Sequence, residues 1–524
     1  MKSYQNHLKS VSHTQNYLQR KPVFRSSAIF PFLVNKKLNT NIYFLGYWLI
    51  KRKIKEVSLL VTLRNKQGHT IKRESVLINK VKSFKLSIKK LLQINGHKQI
   101  IGSIELEVFS SQDMVYPFPA FVINLKGDKT SSFVHTCGRI YNDITDLEAN
   151  NTNLIPESGF DISEKNNSFP FFSFVNGPKQ IINEKINLSL VNHQGLSKKK
   201  IVKFKKIQPY ETIFVNFLNQ QEKKFFENRK GIVRIKHNFK TFFPRFLSGN
   251  FDEKKFNSSI THSYYDLYKK NDPSQYWKNP NKNFFFNSAI GVPLINKSKY
   301  STELAIYPNF AKNNFKLNLQ VFDQSGNLAG LVKEFFSVNE NFNRPSYVNL
   351  NELIKKSGIV LDSKNNYFCR IYTSGEKKIL TRLKFGLNIG DSLSKKTFSS
   401  NICFNAQIPV TSVLKKKGTF KWGLLQNSNE SIIILSNLSF LKKKYKKATA
   451  TLEFWSEHNE KSLKKKLIIP DNGNFYFSLN KNKKIKNFLK GQSGWMTVQS
   501  DNPFVNGWYL EFTKNGSVGA DHLF

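Results

Sequence analysis

An internal repeat runs through this chain of 524 residues, and it limits the possible folds more than any other feature of the sequence. Three blocks recur four times in the same order: a pair of alternating apolar segments around a polar turn, a lysine-rich unit flanked by two strand-like segments, and a final pair of segments. The final pair reaches a shared position, occupied in turn by His135, His262, Cys403 and His522. These positions lie 127, 141 and 119 residues apart, so one repeat has the length of a small domain.

The central block shows the pattern most clearly in residues 211–238. Ile213, Val215 and Phe217 alternate with other residues, which is typical of a strand with one buried face. A lysine-rich stretch with apolar residues at helical spacing follows, and a second alternating run begins at Ile232. Turns such as RNKQG and DQSGN contain residues that tolerate positive φ, as hairpins require. Several short strands per repeat, separated by hairpin turns, predict a β-sandwich.

We therefore predict an all-β fold, a tandem array of about four immunoglobulin-like β-sandwich modules. The short helical segment between two late strands resembles a connection found in immunoglobulin-like modules, although the Cys…Trp…Cys signature of antibody domains is absent. The predicted organisation is a polar N-terminal tail (1–24), module 1 (25–143), an acidic linker (144–167), module 2 (168–267), a second linker (268–283), module 3 (284–410) and module 4 (411–524).

The charge of the chain is strongly positive, with a formal net charge of +46. Lysine supplies nearly all of it, because the sequence contains 70 Lys and 12 Arg. Arginine is the residue that forms bidentate hydrogen bonds with phosphate and guanine, so its scarcity argues against selection for nucleic-acid binding. Lys, Asn, Phe and Ile also share A/T-rich codons, and biased base composition explains their abundance. The alternative is a negatively charged partner: acidic polysaccharide, anionic lipid or nucleic acid.

Cysteine content and apolar runs suggest a compartment. Cys137, Cys369 and Cys403 are odd in number and form no CxxC pair, so we expect no disulfide framework. The first 22 residues are polar, unlike a Sec-type signal, and apolar runs such as 43–50 are too short to span a bilayer. We expect a cytoplasmic protein without a transmembrane segment. The alternative is a cell-surface protein exported by a route without such a signal. The oligomeric state does not follow from the sequence.

The shared position at the end of each repeat is the strongest candidate for a metal site. His135, His262, Cys403 and His522 are side chains that zinc prefers, and modules that meet would bring several of them together. The simpler interpretation is a position near the end of the last strand, with the imidazole beside the core, because Phe133 and Ile260 precede two of the histidines by two residues. On that interpretation the protein needs no cofactor.

Two segments that begin at the first two histidines are candidates for ligand binding. They are dense in aromatic and charged side chains, and exposed rings beside an Asp or Arg are typical of surfaces that stack on sugars. The alternative is ordinary strand packing. The candidate ligand-binding residues are His135, Arg139, Tyr141, His262, Tyr264, Tyr265 and Asp266.

No common catalytic motif is present: the sequence contains no P-loop, no GxGxxG after a strand, no GxSxG and no HExxH. We therefore favour a non-catalytic modular binding or structural scaffold protein that recognises glycan or another surface polymer. One alternative is a lysine-driven binder of polyanions, either nucleic acid or an anionic membrane. None of the lysine runs is interleaved with aromatic residues, which makes nucleic acid the less favoured partner. The other alternative is an enzyme or metal protein whose site lies between modules and uses the repeated histidines.

Overall fold

A computed structural model describes residues 22–94, 99–128, 130–135, 138–140, 157–163, 168–227, 229–239, 242–243, 245–252, 257–265, 276–277, 283–297, 299–308, 313–381, 383–391, 394, 397–406 and 411–524. These residues form two compact units. Unit 1 comprises 1–128, 133–192 and 197–265, and unit 2 comprises 129–132, 193–196 and 266–524. In the part of the chain that is described, no helix is long and apolar enough to cross a membrane.

The first sandwich contains eight main strands. They are β1 (Arg25–Val34), β2 (Leu38–Leu45), β3 (Val57–Asn65), β4 (Thr70–Ile78), β5 (Ser83–Ser87), β6 (Ile100–Phe109), β7 (Val122–Gly127) and β8 (Ser131–His135). Helix α1 (Tyr47–Lys51) follows β2, helix α2 (Ile88–Leu91) follows β5, and the short strand β9 (Arg139–Ile140) comes last. One sheet has the strand order β1-β6-β3-β4 and the other has the order β5-β2-β7-β8.

The second sandwich repeats this arrangement. Its strands are β10 (Glu157–Ile162), β11 (Ser168–Val175), β12 (Ile181–Val191), β13 (Ser197–Ile207), β14 (Thr212–Asn216), β15 (Gly231–Lys236), β16 (Phe242–Phe243), β17 (Leu247–Asp252), β18 (Asn257–His262) and β19 (Tyr264–Tyr265), with helix α3 (Gln220–Phe226) after β14. The sheets have the orders β13-β12-β15-β10-β19 and β14-β11-β17-β18. The short strand β16 pairs with β9.

The start of the second sandwich corrects the sequence interpretation, which assigned 144–167 to a linker. Residues Glu157–Ile162 form β10, which pairs antiparallel with β15. Phe160 and Ile162 are fully buried in the core of this sandwich. The acidic and polar composition of the segment therefore hid a strand whose inward positions are apolar. Of the rest of the predicted linker, Ser163 is described, and residues 144–156 and 164–167 lie outside the described residues.

The third and fourth sandwiches follow in unit 2. The third contains β20 (Ala289–Leu294), β21 (Tyr300–Ile306), β22 (Phe315–Phe322), β23 (Leu328–Val338), β24 (Ser346–Asn349), helix α4 (Leu350–Lys356), β25 (Tyr367–Ser374), β26 (Lys384–Asp391) and β27 (Ser400–Asn405). A 3-10 helix (Thr411–Lys415) leads to the fourth, which contains β28 (Thr419–Leu425), β29 (Glu430–Asn437), β30 (Ala448–Trp455), β31 (Leu463–Ile469), β32 (Asn474–Ser478), helix α5 (Lys483–Phe488), β33 (Gly494–Ser500), β34 (Val505–Phe512) and β35 (Val518–His522).

All four sandwiches share one topology. The first, sixth, third and fourth main strands form one sheet, which we call sheet I, and the fifth, second, seventh and eighth form the other, sheet II. A helix connects the fifth strand to the sixth in every copy. The chain is therefore a tandem array of four β-sandwich modules of immunoglobulin-like character, which confirms the predicted fold class.

The helix between the fifth and sixth strands begins at an asparagine in three of the four copies. Asn219 accepts a hydrogen bond from the backbone of Glu222 (3.0 Å), and the Glu222 carboxylate accepts one from the backbone of Asn219 (2.6 Å). Asn349 and Asn482 cap α4 and α5 through their side chains. These caps satisfy backbone N–H groups that a short helix would otherwise leave without partners.

The cores are built from the inward residues of both sheets. The core of the second sandwich is rich in phenylalanine, with Phe160, Phe172 and Phe174 among its buried members. In unit 2, a single apolar cluster includes residues of the third sandwich, such as Leu387, and of the fourth, such as Trp508. The abundant Phe residues of the sequence therefore serve mainly as packing material.

Neighbouring sandwiches within a unit meet through the same pair of loops. The turn between β3 and β4 contains Gly68 at φ +91°, and a Cβ atom there would lie 2.3 Å from the Pro209 carbonyl oxygen. The turn between β22 and β23 contains Gly326 at φ +84°, and a Cβ atom there would lie 2.0 Å from the carbonyl oxygen of Asp471. Glycine is required at both turns because the next sandwich's backbone leaves no room for a side chain.

Candidate functional site

The repeated His/Cys position lies on the eighth strand of every sandwich. His135 ends β8, His262 ends β18 and His522 ends β35, while Cys403 lies within β27. His262 and Cys403 are buried, whereas His135 and His522 are half-buried. The equivalence inferred from the sequence is thus a structural equivalence, because the same strand carries the position in each copy.

Within unit 1, the first two histidines come together around an arginine. The rings of His135 and His262 meet edge to face with centroids 4.7 Å apart. Arg245, in the segment before β17, places its Nη2 atom 2.8 Å from Nε2 of His262 and 3.4 Å from Nε2 of His135. The arginine therefore bridges a histidine of the first sandwich and a histidine of the second.

The hydrogen bonds fix the tautomer of His262. Its Nδ1 atom lies 3.0 Å from the carbonyl oxygen of Ser263, which can only accept, so Nδ1 carries the proton. Its Nε2 atom then accepts from the Arg245 guanidinium, which can only donate. A metal ion binds the lone pair of a neutral imidazole nitrogen. Because both nitrogens of His262 are already engaged, this arrangement does not fit a zinc ion held by His262.

The direction of the His262 side chain corrects one expectation. Ile260 and His262 share a face, as predicted, but that face does not point into the core of the second sandwich. Leu247, which pairs with His262, lines a narrow apolar gap together with Phe32 of the first sandwich and Phe171 of the second. The His262 face of sheet II is therefore the face toward the first sandwich, and the histidine pair belongs to a junction between modules.

The other two members of the repeated position lie in unit 2. Cys403 is a buried thiol on β27, a strand that packs against β35. His522 lies at the end of β35, and its Nδ1 atom is 3.0 Å from the carbonyl oxygen of Leu523. Cys403 pairs in register with Gly386 of β26, whereas the next residue, Phe404, points to the opposite face of β27 and contacts Trp508 of the fourth sandwich. The zinc site that would join all four positions remains a prediction.

The candidate ligand-binding residues do not form an exposed stacking surface where they are described. Tyr264 is 1% exposed, and its ring lies against Gly159, where a Cβ atom would be 2.8 Å from the phenol. Arg139 is 4% exposed and sits over the ring of Phe118 at 5.6 Å. A sugar needs an accessible ring, so these two side chains act in packing. Tyr141, Asp266 and the side chain of Tyr265 lie outside the described residues, as does Cys137.

The sequence interpretation missed two features. Arg245 stands alone in an aromatic segment and carries no repeat signal, so only the fold reveals that it reaches both histidines. The second feature is the arrangement of lysines in SKKKIVKFKKI of β13. The period-two spacing of its outer lysines was visible in the sequence, but the neighbouring strands that join them were not.

The outer face of sheet I in the second sandwich collects six basic side chains. On β13, Lys199, Lys203 and Lys205 point away from the core, since the intervening Val202 and Phe204 pack against it. The register places Lys185 of β12 opposite Lys203, and Ser189 opposite both Lys199 and Arg234. We call this surface the basic face and define it by the following residues: Lys185, Lys199, Lys203, Lys205, Arg234 and Lys236.

The basic face is accessible. Its five lysines are exposed and Arg234 is half-buried. Ile201, on the same face of β13, is 51% exposed. Lys200, by contrast, turns to the other side of β13, where its Nζ atom lies 2.8 Å from Glu222 and 2.6 Å from the Phe217 carbonyl oxygen. Burial opposes ionisation of Glu222, but its hydrogen bonds from Lys200 and Asn219 prevail and lower the pKa of this carboxyl.

Comparison with known proteins shows likeness at the level of solved structures only. No family model matches the chain, and no curated protein matches it. Among solved structures, it is similar to a calcium-binding mutant of Bacteroides uniformis beta-glucuronidase 2, with 8% identity over 48% of this chain and a TM-score of 0.12. The chain spans 28% of that protein. It is also similar to the FN1-FN3 domains of chicken CNTN1, with 8% identity, 72% of this chain and 98% of that chain covered, and a TM-score of 0.11. At these scores neither likeness carries a functional argument.

Proposed function

We propose that this chain is a non-catalytic scaffold whose tandem β-sandwiches present binding surfaces to an extended polymer, with glycan as the first candidate. The observation that carries the proposal is the repeated junction between neighbours. In unit 1 the backbone of Thr212 donates to the carbonyl oxygen of Lys66 (2.9 Å), and in unit 2 the backbone of Asn474 donates to that of Gln324 (3.3 Å). The same hairpin thus holds the next sandwich in each unit.

Side chains reinforce both junctions. The Arg64 guanidinium lies 4.3 Å from the centre of the Tyr210 ring, and the Arg370 guanidinium donates to the amide oxygen of Asn472. Burial of Arg370 lowers its pKa to about 10, so it remains charged at neutral pH. Each unit can therefore keep two modules in a set relation while their outer faces stay available, which is what a scaffold for a long ligand requires.

The repeated histidines support a structural role more than a catalytic one. His135 and His262 contact Arg245, and the contacts place all three side chains at a junction between modules. A catalytic base must reach the proton that it removes from a substrate. The His262 nitrogens are instead occupied by Arg245 and Ser263, so we assign this cluster to module packing.

A glycan array probed with the full chain tests the proposal. We expect retention of a subset of glycans, with every bound glycan recovered intact by mass spectrometry after long incubation. A cleaved or modified glycan would overturn the non-catalytic assignment. Failure to retain any glycan or other polymer would overturn the binding function itself. Bovine serum albumin printed at the same density serves as the control for nonspecific retention.

A further inference from the structure

We propose that the basic face of the second sandwich binds an acidic polysaccharide, a linear polymer that carries carboxylate or sulfate groups beside hydroxyls. This inference rests on the proposed scaffold function and names one surface and one class of partner for it. Three properties of the face favour this partner: the local excess of positive charge, the spacing of the charges, and the nature of the groups between them.

The local excess of charge distinguishes this face from the equivalent face of the other three sandwiches. In the first sandwich, Glu105 and Glu107 occupy it, and Arg64 lies 2.8 Å from Glu105. In the third, Lys316 lies 2.6 Å from Glu334. In the fourth, Glu453 lies on the equivalent face, and Lys464 lies 3.3 Å from it.

For Lys185, Lys199, Lys203, Lys205 and Lys236, the described residues provide no ion pair. Glu157 pairs in register with Lys236 at one border of the face, and its side chain is outside the described set. Drift in base composition would place lysine equally on the outer face of sheet I in all four sandwiches. The concentration of unpaired lysines on one of them instead favours a negatively charged partner.

The charges form two rows along the strands. One row follows β13 from Lys199 to Lys205, a span of about 20 Å at the rise of a β-strand. The other row follows β15, where Arg234 precedes Lys236. Strand β12 lies between them, so the rows are about 10 Å apart. A linear polymer lying along β12 would have cations on both sides.

The floor between the rows carries Lys185 at one end of β12 and polar, uncharged side chains along the rest of the strand. Asn187 lies between Ile201 and Lys236 in register, and Ser189 lies between Lys199 and Arg234. The Ser189 hydroxyl is 2.8 Å from the Ser197 hydroxyl, so the two form a hydrogen-bonding pair on the same face. Amide and hydroxyl groups match the hydroxyls of a sugar, while the rows match its acidic groups. A polyhydroxylated acidic polymer uses both features.

The same composition disfavours the other polyanions. Nucleic acid recognition relies on arginine and on aromatic side chains that stack on bases. This face has one arginine, and the aromatic ring in the same cross-strand row, Tyr264, is only 1% exposed and so cannot stack on a base. An anionic membrane would be held by lysines together with apolar side chains that enter the lipid. Ile201 of β13 and Ile182 of β12 are the exposed apolar side chains that the described residues of these two strands provide, and two such side chains are too few to anchor a protein on a bilayer.

The test compares three forms of the full chain. The first is the natural sequence, and the second carries Lys185→Gln, Lys199→Gln and Lys203→Gln on the basic face. The third is a control with the same loss of charge at exposed lysines of the fourth sandwich: Lys443→Gln, Lys444→Gln and Lys447→Gln. Affinity is measured for heparin, hyaluronate, a mixed-sequence DNA oligonucleotide and vesicles containing phosphatidylserine, at about 50 and about 200 mM salt.

We expect the natural chain to bind heparin or hyaluronate more tightly than DNA or the vesicles. Binding to heparin alone would identify sulfate as the preferred group. Equal binding to heparin and hyaluronate would identify carboxylate. The face variant should bind about tenfold or more weakly at low salt and show a shallower salt dependence, because it releases fewer counterions. The control variant should stay within about twofold of the natural chain.

Several results would overturn the inference. Equal weakening of the face variant and the control would show that net charge, and not this surface, drives binding. Tighter binding to DNA or to vesicles would show that the partner class is wrong. In either case the scaffold proposal survives, whereas loss of all polymer binding by the natural chain removes both. Hydrogen exchange in the natural chain provides a readout without mutation, since heparin should protect the edge strand β13, and no protection there also counts against the site.

Discussion

The buried imidazole of His237 makes the second sandwich sensitive to acid. His237 is 2% exposed, and the rings of Phe239 and Phe246 lie 5.2 and 5.3 Å from its own. Its Nδ1 atom accepts from the backbone of Phe239 (3.1 Å), and Nε2 has no hydrogen-bond partner among the described residues. Burial therefore disfavours the charged form and lowers the pKa of His237 to about 4, from an ordinary value of 6.5.

The sign and size of the effect follow from proton linkage. The unfolded chain protonates this histidine near pH 6.5 and the folded chain only near pH 4, so the unfolded state binds more protons between those values. The folded state consequently loses stability as the pH falls through this window. The loss from His237 is about 2 kcal/mol at pH 5 and about 3 kcal/mol at pH 4. Below pH 4 the contribution becomes constant, and above pH 7 it vanishes.

The assay compares the natural chain with His237→Phe, which keeps an aromatic ring at the site and cannot titrate. Native-state hydrogen exchange of the β15 amides gives the free energy of opening of the second sandwich at several pH values. The lost hydrogen bond to Phe239 adds an offset that does not depend on pH, so the pH-dependent difference between the two proteins isolates His237. The exposed His69, replaced by Phe, is the matched control and should give no such difference. A difference that stays constant from pH 7 to pH 4 would refute a buried, neutral His237.

Two further predictions concern local stability. Asn219→Ala should destabilise the second sandwich by about 1 kcal/mol, because the side-chain oxygen that accepts from the Glu222 backbone N–H is lost; β15 hydrogen exchange measures it, and an unchanged opening free energy would contradict the capping role. Burial raises the pKa of Glu105 despite its ion pair with Arg64. Arg64→Met should therefore cost about 3 kcal/mol in urea denaturation, whereas adding Glu105→Met should restore most of it. Equal losses in the single and double variants would count against that account.

Much of the fold follows from local patterning. Alternating apolar residues marked the strands, and the turns at Gly68 and Gly326 marked the hairpins, because period-two burial and positive φ are properties of a few adjacent residues. The linker at 157–162 was assigned wrongly for the same reason. Its acidic composition is local, while the burial of Phe160 depends on pairing with β15, a strand about seventy residues later. Long-range pairing of this kind leaves no mark in a short window of sequence.

The candidate sites divide along the same line. The sequence by itself determined the four-fold repeat, the shared position of His135, His262, Cys403 and His522 near the end of the last strand of each repeat, and the excess of lysine. Only the tertiary structure decided that Arg245 contacts both His135 and His262, that Tyr264 is buried, and that six basic residues from three strands form one face. The physical reason is that charge and side-chain chemistry belong to single residues. Whether side chains meet, become buried or face solvent depends on which strands lie side by side. Packing across the whole sandwich sets this arrangement of strands.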